Sequence, residues 1–236
     1  MLQLAEGILI VYHGTEKERG KKILAEQRMI PSISDDRRQH WLGDGIYLYR
    51  EMFYAFRWIE LMYKKHFSDM EMREDLLEKY SILYVAVAYN PERIFNLDNP
   101  EHYMVFRKTE QAYREKSIYS PKIQKCEYSD GVIINILFKN LKYGENYDAV
   151  EAVFPTVELD EKLTEKSRLK SINEYQLCIK NDEIIGKIED VSDRVDFDTY
   201  HSRLINFRNF KKQWGTNRDN TIKYKNGQKG GKYGKW

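Results

Sequence analysis

Residues 81–89 constrain the fold most, because they are apolar almost throughout and rich in residues that favour β-strands. Side chains alternate between the two faces of a strand. One face of this segment would carry Ile82, Tyr84, Ala86 and Ala88, and the other Leu83, Val85, Val87 and Tyr89. The pattern predicts a strand that is buried on both faces and that ends at Asn90-Pro91.

The rest of the chain alternates helical and strand-like patterns. Residues 51–67 and 99–116 predict helices, the first from an apolar stripe at helical spacing. Shorter apolar runs predict strands at residues 7–12, 46–49, 149–154, 175–179 and 184–188, and residues 131–138 fit either a helix or a strand. We therefore predict the α+β class, with a mostly antiparallel core of two packed β-sheets and helices inserted between the strands.

A further helix is indicated directly after the first strand. Thr15 is followed three residues later by Glu18, which is the spacing of a capping box. This spacing predicts that Thr15 caps the helix, which fades at Glu26-Gln27.

Composition indicates a folded protein of the reduced cytoplasm. The chain has no apolar run long enough to span a bilayer, and its N-terminus has no pattern of a secretory signal. The two cysteines, Cys126 and Cys178, have no metal-ligand spacing. We therefore expect a cytoplasmic protein without membrane contact.

Charge divides the chain unevenly, although the net charge is only +2. Residues 201–236 contain ten Lys or Arg and one acid, Asp219, whereas residues 1–200 carry a net charge of −7. This asymmetry predicts a body at residues 1–200 and a basic, partly flexible tail at residues 201–236.

The first candidate for chemistry is His13, which ends an apolar strand and precedes Gly14. A histidine there can cap the core, act as a general base or orient a ligand, and its position alone favours the structural role. Gly14 favours a ligand, because a residue without Cβ lets one approach the backbone N–H and C=O closely. Such a pair of backbone groups suits a planar carboxamide.

Two other segments carry weaker signals. Gly43-Asp44-Gly45-Ile46-Tyr47 is by itself typical of a β-turn that enters a strand. Trp58, in the following helix, fits the edge of the core. On the late strand, Glu174 and Gln176 share one face, which is equally compatible with plain solvent exposure.

In this order, the three segments resemble motifs of the ADP-ribosyltransferase superfamily. The likeness is to its histidine–tyrosine–glutamate branch, which includes the poly(ADP-ribose) polymerases and many small bacterial transferases. It covers roughly residues 8–190, but only the three motif stretches carry it: Tyr12-His13-Gly14-Thr15, Gly45-Ile46-Tyr47 and Asn173-Glu174-Tyr175. The resemblance implies an ADP-ribosyltransferase-like fold and NAD+ as substrate.

The resemblance also implies a role for each matched residue. His13 would bond the hydroxyls of the adenosine ribose, and the Gly14 backbone would bond the nicotinamide carboxamide. Tyr47 would stack on the nicotinamide ring, and Trp58 lies where the family often has a second aromatic side chain beside that ring. Glu174 would bond a hydroxyl of the nicotinamide ribose.

Some positions depart from the family pattern or stay open. Ala55 stands where the polymerases often have a serine, which removes one bond to the carboxamide, and Thr15 belongs to the cofactor-binding set through its place in the first motif. Gln176 competes with Glu174 for the third motif position, and we favour Glu174. The chain has no room for the helical regulatory domain of the polymerases, so we expect transfer of a single ADP-ribose.

The expected chemistry matches these residue types. Breaking the bond between nicotinamide and ribose builds positive charge on the sugar, as in glycoside hydrolysis. A fixed carboxylate stabilises that charge, and an aromatic clamp with a backbone pair holds the leaving group. No metal is needed, and the sequence suggests none.

The tail bears on the acceptor of the ADP-ribose. Its ten cations are interleaved with Phe207, Phe210, Trp214, Tyr224, Tyr233 and Trp236. Cations with aromatic rings suit single-stranded nucleic acid, RNA more than DNA. A solubilising terminus or an anchor for a protein partner fits equally well, and residues 205–214 could also pack on the body as a helix.

Several functions remain open. The favoured one is a mono-ADP-ribosyltransferase of a bacterial toxin or phage-defence system that modifies RNA. A protein acceptor, hydrolysis of NAD+ by water, and an inactive module that binds a nucleotide or RNA are alternatives. A cytoplasmic toxin would also need an antitoxin protein as a partner.

Overall fold

The structure is a computed structural model that describes residues 7–34, 40–67, 75–119, 129–158 and 171–214. The strands are β1 (Gly7–Glu16), β2 (Ile46–Tyr49), β3 (Tyr80–Tyr89), β4 (Ile94–Asn96), β5 (Ala149–Glu158), β6 (Ser171–Ile179) and β7 (Ile185–Asp190). The helices are α1 (Lys17–Glu26), α2 (Met52–His66), α3 (Leu76–Lys79), α4 (Pro100–Tyr119), α5 (Asp130–Asn135) and α6 (Phe197–Trp214).

These elements confirm the predicted α+β class. The seven strands form one mixed sheet in the order β4-β5-β6-β2-β1-β3-β7. Only β4 and β5 pair in parallel, and the other neighbours are antiparallel. The prediction of two separate sheets differs from this arrangement, because a backbone pair between Tyr12 and Tyr49 joins the two groups of strands into one sheet.

Strand β3 is covered on both faces, as its sequence predicts. Leu83, Val85 and Val87 enter one hydrophobic cluster, whereas Tyr80 and Ile82 enter another on the opposite face. All five side chains are buried. Strand β3 also pairs with β1 on one side and with β7 on the other, so its backbone is satisfied along both edges.

The core consists of three clusters around the sheet. The first takes side chains from all seven strands and from α1: Val11, Ile23, Ile46, Leu48, Leu83, Val85, Val87, Ile94, Ala149, Leu177, Ile179 and Ile188 among others. On the outer face, α2, α3 and α6 cover β1 and β3, while α4 and α5 cover β4, β5 and β6. The outer face therefore has two groups of helices, and β2 contacts both, since Tyr49 lies in the cluster of α2 and Tyr47 packs against the cluster of α5.

The capping prediction for Thr15 is wrong. Thr15 lies within β1 and pairs with Ser81, the strand continues to Glu16, and α1 begins at Lys17 without a side-chain cap. The long ladder between β1 and β3 holds Thr15 in the extended conformation, so pairing across the sheet overrides the local motif. Residues 131–138 are helical, as α5 continues into a π-helical turn, Ile136–Asn140.

The predicted boundary between the body and the tail falls inside α6. Leu204 on this helix is buried in the cluster of α2, and Arg208 forms an ion pair with Glu60 of α2. The first part of the basic segment therefore packs on the body as a helix. Residues 215–236, with Tyr224, Tyr233 and Trp236, lie outside the described residues, and so does Cys126.

None of the helices that the structure describes is long and apolar enough to cross a membrane.

Candidate functional site

The side chain of His13 lies where β1 and β2 separate. Its Nδ1 lies 2.8 Å from the carbonyl oxygen of Tyr47. A carbonyl only accepts hydrogen bonds, so Nδ1 carries the proton and donates. Burial lowers the pKa of His13 to about 4, against the raising effect of the Tyr47 carbonyl and with a further lowering by Arg19. The ring is therefore neutral at pH 7, and Nε2 has a lone pair that can accept a hydrogen bond.

The backbone of Gly14 is directed to the same gap. Arg50 donates its backbone N–H to a carbonyl of β6 at 3.4 Å, so the preceding residue Tyr49 directs its backbone groups to β1. Tyr12 pairs with Tyr49 there, and this is the one pair in the β1–β2 ladder. Gly14, two residues further along, presents its N–H and C=O to the same edge, beyond the end of the ladder.

Gly14 also has a packing role. A Cβ at this position would lie 2.7 Å from Cγ2 of Ile59, 2.8 Å from the carbonyl oxygen of Ala55 and 3.2 Å from a ring carbon of Trp58. Glycine therefore lets α2 pack directly on β1. The structure brings the predicted residues Gly14, Ala55 and Trp58 into one contact, with Ala55 fully buried and Trp58 partly exposed.

Tyr47 is anchored by its hydroxyl group. The hydroxyl donates to the Gly43 carbonyl at 2.7 Å and accepts from the Leu42 N–H at 2.8 Å. Burial raises the pKa of the Tyr47 hydroxyl far above its usual range. Gly43 has a φ of +72°, so the turn that binds Tyr47 requires a residue without Cβ. The two interpretations of this segment, a β-turn and a site that positions the Tyr47 ring, are therefore compatible.

A buried carboxylate fixes the same turn from the other side. Asp44 accepts from the Ser34 N–H at 2.8 Å, from Nδ2 of Asn135 at 3.2 Å, and from Lys139. Burial raises the pKa of Asp44, but the hydrogen bonds from Lys139 and Ser34 outweigh this effect and bring it to about 2. The turn before Tyr47 is therefore held by charge-assisted bonds.

The second centre is the carboxylate of Glu174. Its Oε2 accepts from Nη1 of Arg57 at 2.6 Å, and its Oε1 accepts from Nε2 of Gln176 at 2.6 Å. Glu174 is only 5% exposed. The two competing residues of the third motif are thus neighbours on one face of β6, and Gln176 orients Glu174.

The structure places the predicted residues in two centres. His13, Gly14 and Tyr47 form the first, and Glu174 with Gln176 forms the second. Tyr47 pairs with Cys178 of β6. Glu174 lies four residues from Cys178 on the same strand, so their Cα atoms are about 14 Å apart at the usual rise of a strand.

Thr15 lies apart from both centres. It is buried in β1, and its methyl group faces α1, where a Cβ on Gly20 would lie 3.3 Å from it. Its prediction as a cofactor-binding residue therefore rests only on its position in the first motif.

Arg57 is the residue of the site that sequence reasoning misses. It lies 117 positions before Glu174 in the chain, and its guanidinium group also lies 5.6 Å from the centre of the Phe207 ring on α6. Nothing in the local pattern of α2 distinguishes Arg57 from the other exposed cations of that helix.

The chain is similar to a known protein. No protein-family model matches the chain, and no solved structure matches it. The chain is 34% identical over 194 residues to the uncharacterized protein MJ0359 of Methanocaldococcus jannaschii, and this match covers 77% of the chain and 86% of the relative.

Proposed function

This chain belongs to the same family as the uncharacterized protein MJ0359, and we propose from its own residues that it cleaves NAD+ and transfers one ADP-ribose to a macromolecule. The observation that carries the proposal is the gap between β1 and β2. Gly14 presents one donor and one acceptor there, which match the two polar groups of a carboxamide. His13 offers Nε2 as an acceptor for a ribose hydroxyl.

The spacing of the two centres supports a long substrate. Cys178, the partner of Tyr47, and Glu174 are four residues apart on β6, and an extended dinucleotide can contact both centres. In our assignment the nicotinamide lies near Gly14, Tyr47 and Trp58, and the nicotinamide ribose lies toward Glu174. Ala55, which contacts Gly14, completes the surroundings of the carboxamide.

The reaction follows from this placement. The bond between C1′ of the ribose and the nicotinamide nitrogen breaks, and its electron pair leaves with neutral nicotinamide. The Glu174 carboxylate stabilises the positive charge that develops on the sugar. The acceptor heteroatom then bonds C1′, and its proton passes to Glu174 and on to solvent.

Features of the core support an ADP-ribosyltransferase-like fold with two packed layers. The first hydrophobic cluster takes side chains from all seven strands, as expected if the two groups of strands face each other. Tyr89 of β3 also donates its hydroxyl to Glu151 of β5 at 3.1 Å, although β3 and β5 are far apart in the strand order.

The acceptor that we favour is RNA, in a cytoplasmic toxin or phage-defence setting with an antitoxin as a further partner. Helix α6 carries the basic residues Arg203, Lys211 and Lys212, so it places positive charge beside the body. A protein acceptor, or an inactive module that binds a nucleotide or RNA, is the alternative outcome of the test below.

The test is label transfer from NAD+ that is labelled in the adenylate part. The protein is incubated with a total bacterial lysate, and the products are digested separately with RNase, DNase and protease. We expect the label to become sensitive to RNase. Sensitivity to protease would show a protein acceptor, and the absence of both label transfer and nicotinamide release would overturn the enzymatic function.

Two variants test the roles at the third motif. Glu174→Gln should lower label transfer at least 100-fold, because loss of one preorganised electrostatic group typically costs ~10²–10³ in rate. Glu145→Gln is the control, since the Glu145 side chain is 68% exposed and its ion pair is with Lys142, which belongs to neither centre. If Glu174→Gln stays active and Gln176→Ala does not, the assignment of Glu174 is wrong.

A further inference from the structure

An aromatic pair lies beside Glu174 on the outer face of the sheet. Phe154 of β5 pairs with Glu174 of β6, and paired residues of antiparallel strands direct their side chains to the same face. The ring of Trp41 lies 5.0 Å from the ring of Phe154, tilted by 48°. We call these two residues the aromatic wall.

The aromatic wall is open to solvent at Trp41, whereas Phe154 is half-buried. Trp41 is 50% exposed, although it is one of the largest apolar side chains. Leu42, the next residue, is 1% exposed and its N–H binds the Tyr47 hydroxyl. The backbone at Trp41 is thus fixed, while its ring remains accessible for stacking.

The opposite side of Glu174 carries a cation. Arg57 bonds the carboxylate at 2.6 Å, and its side chain is 28% exposed. The described surroundings of Glu174 therefore combine an accessible aromatic surface, a partly exposed guanidinium group and an amide, Gln176. Stacking rings next to a cation are the recurrent means of binding single-stranded nucleic acid.

We propose that the aromatic wall stacks on a base of a single-stranded nucleic acid and holds that base at Glu174 as the acceptor of ADP-ribose. This inference rests on the proposed function and narrows its acceptor to a nucleobase. A nitrogen of the stacked base forms the new bond to C1′ as the bond to nicotinamide breaks. The proton of that nitrogen goes to Glu174 and then to solvent, and nicotinamide leaves with the electron pair.

The test is the affinity for a labelled 12-nucleotide single-stranded RNA and for an abasic strand of the same length. Trp41→Ala should weaken binding of the RNA roughly tenfold, as expected for loss of one stacking contact. Trp41→Phe should retain most of it, and neither variant should change binding of the abasic strand. Tyr103→Ala is the matched control, since Tyr103 is 47% exposed on α4.

Three results would overturn the inference. One is unchanged RNA affinity of Trp41→Ala in a protein that keeps its thermal unfolding midpoint. Another is an equal loss for the abasic strand. The third is a loss of affinity for NAD+ in place of RNA, which would assign the aromatic wall to the donor.

The affinity experiment does not depend on NAD+ cleavage, so it separates the two proposals. A wild-type protein that neither cleaves NAD+ nor transfers label, but binds RNA through Trp41, would overturn the proposed function and uphold base stacking. A wild-type protein that labels only protein, with Trp41→Ala fully active, would uphold the transferase and overturn the nucleobase acceptor.

Discussion

Strand β1 is closed along one edge and open along most of the other. Toward β3 it forms ten residue pairs, from Gly7–Tyr89 to Glu16–Tyr80. Toward β2 it forms one pair, Tyr12–Tyr49, and beyond it the two strands are joined by the side chain of His13. The closed edge satisfies the backbone, whereas the open edge presents backbone and ring atoms that a ligand can bind.

This difference separates stability from function within one strand. Substitutions along the closed edge should affect folding, and those along the open edge should affect pH dependence and ligand binding.

The largest effect is expected at the closed edge. Leu83 pairs with His13 and is fully buried. Leu83→Ala should lower the free energy of unfolding by roughly 2–5 kcal/mol, because it leaves a cavity in the first hydrophobic cluster. Urea unfolding measures this loss, with Ile8→Ala as the control because Ile8 of β1 is 76% exposed. Equal losses for the two variants would contradict the assignment of stability to the side chains that are buried along the closed edge.

The next effect concerns pH and the open edge. The pKa of His13 is lowered to about 4 from 6.5, so the unfolded chain takes up a proton at a higher pH than the folded one. The stability that the neutral ring contributes is complete above pH 6.5 and is lost as the pH falls toward 4. The full loss amounts to about 3 kcal/mol.

Urea unfolding at pH 7.5 and pH 4.5 tests this prediction. His13→Gln should lose less stability between the two pH values than the wild-type protein. Asp44 does not contribute in this window, because its lowered pKa, about 2 against 3.8, places its loss of stability at lower pH. A variant with the same pH dependence as the wild type would show that His13 is not held neutral by burial.

The smallest effect is expected at the contact between α2 and α6, which is made by side chains and not by backbone pairs. Arg57 lies over Phe207, and such a contact contributes about 1 kcal/mol. Phe207→Ala should therefore lower the free energy of unfolding by about 1 kcal/mol and reduce NAD+ cleavage, because Arg57 holds Glu174 less firmly. Ile205→Ala on the same helix is the control, since Ile205 is 42% exposed. Cleavage of NAD+ by Phe207→Ala at the wild-type rate would show that α6 does not support the site.

Sequence patterns predict the elements whose environment repeats along the chain. Strand β3 and helix α2 follow from periodicity, because both bury a regular set of side chains. The capping box at Thr15 misleads, since a local motif carries no information on the ladder that β1 forms with Ser81 and its neighbours on β3. The boundary predicted at residue 200 lies inside α6 for a similar reason, because Leu204 is buried by residues distant in sequence.

The candidate site is predictable in its residues but not in its contacts. His13, Tyr47 and Glu174 follow from ordered motifs, and the structure adds that His13 bonds the Tyr47 backbone and that Gln176 bonds Glu174. The contribution of Arg57 depends on a pair separated by 117 positions. Such a pair is created by the packing of α2 on the sheet, which no local window contains.

The ion pairs of Glu60 have a consequence for the modularity of this protein. Glu60 is fully buried in α2, and its charge is balanced by Lys64 of the same helix and Arg208 of α6. Removal of α6 would leave this carboxylate short of one cation inside the core, which is strongly destabilising for a buried pair. The C-terminal segment is therefore not an interchangeable extension. A shortened or shuffled chain must keep the helix through Arg208, and fusions at the C-terminal side should begin after α6.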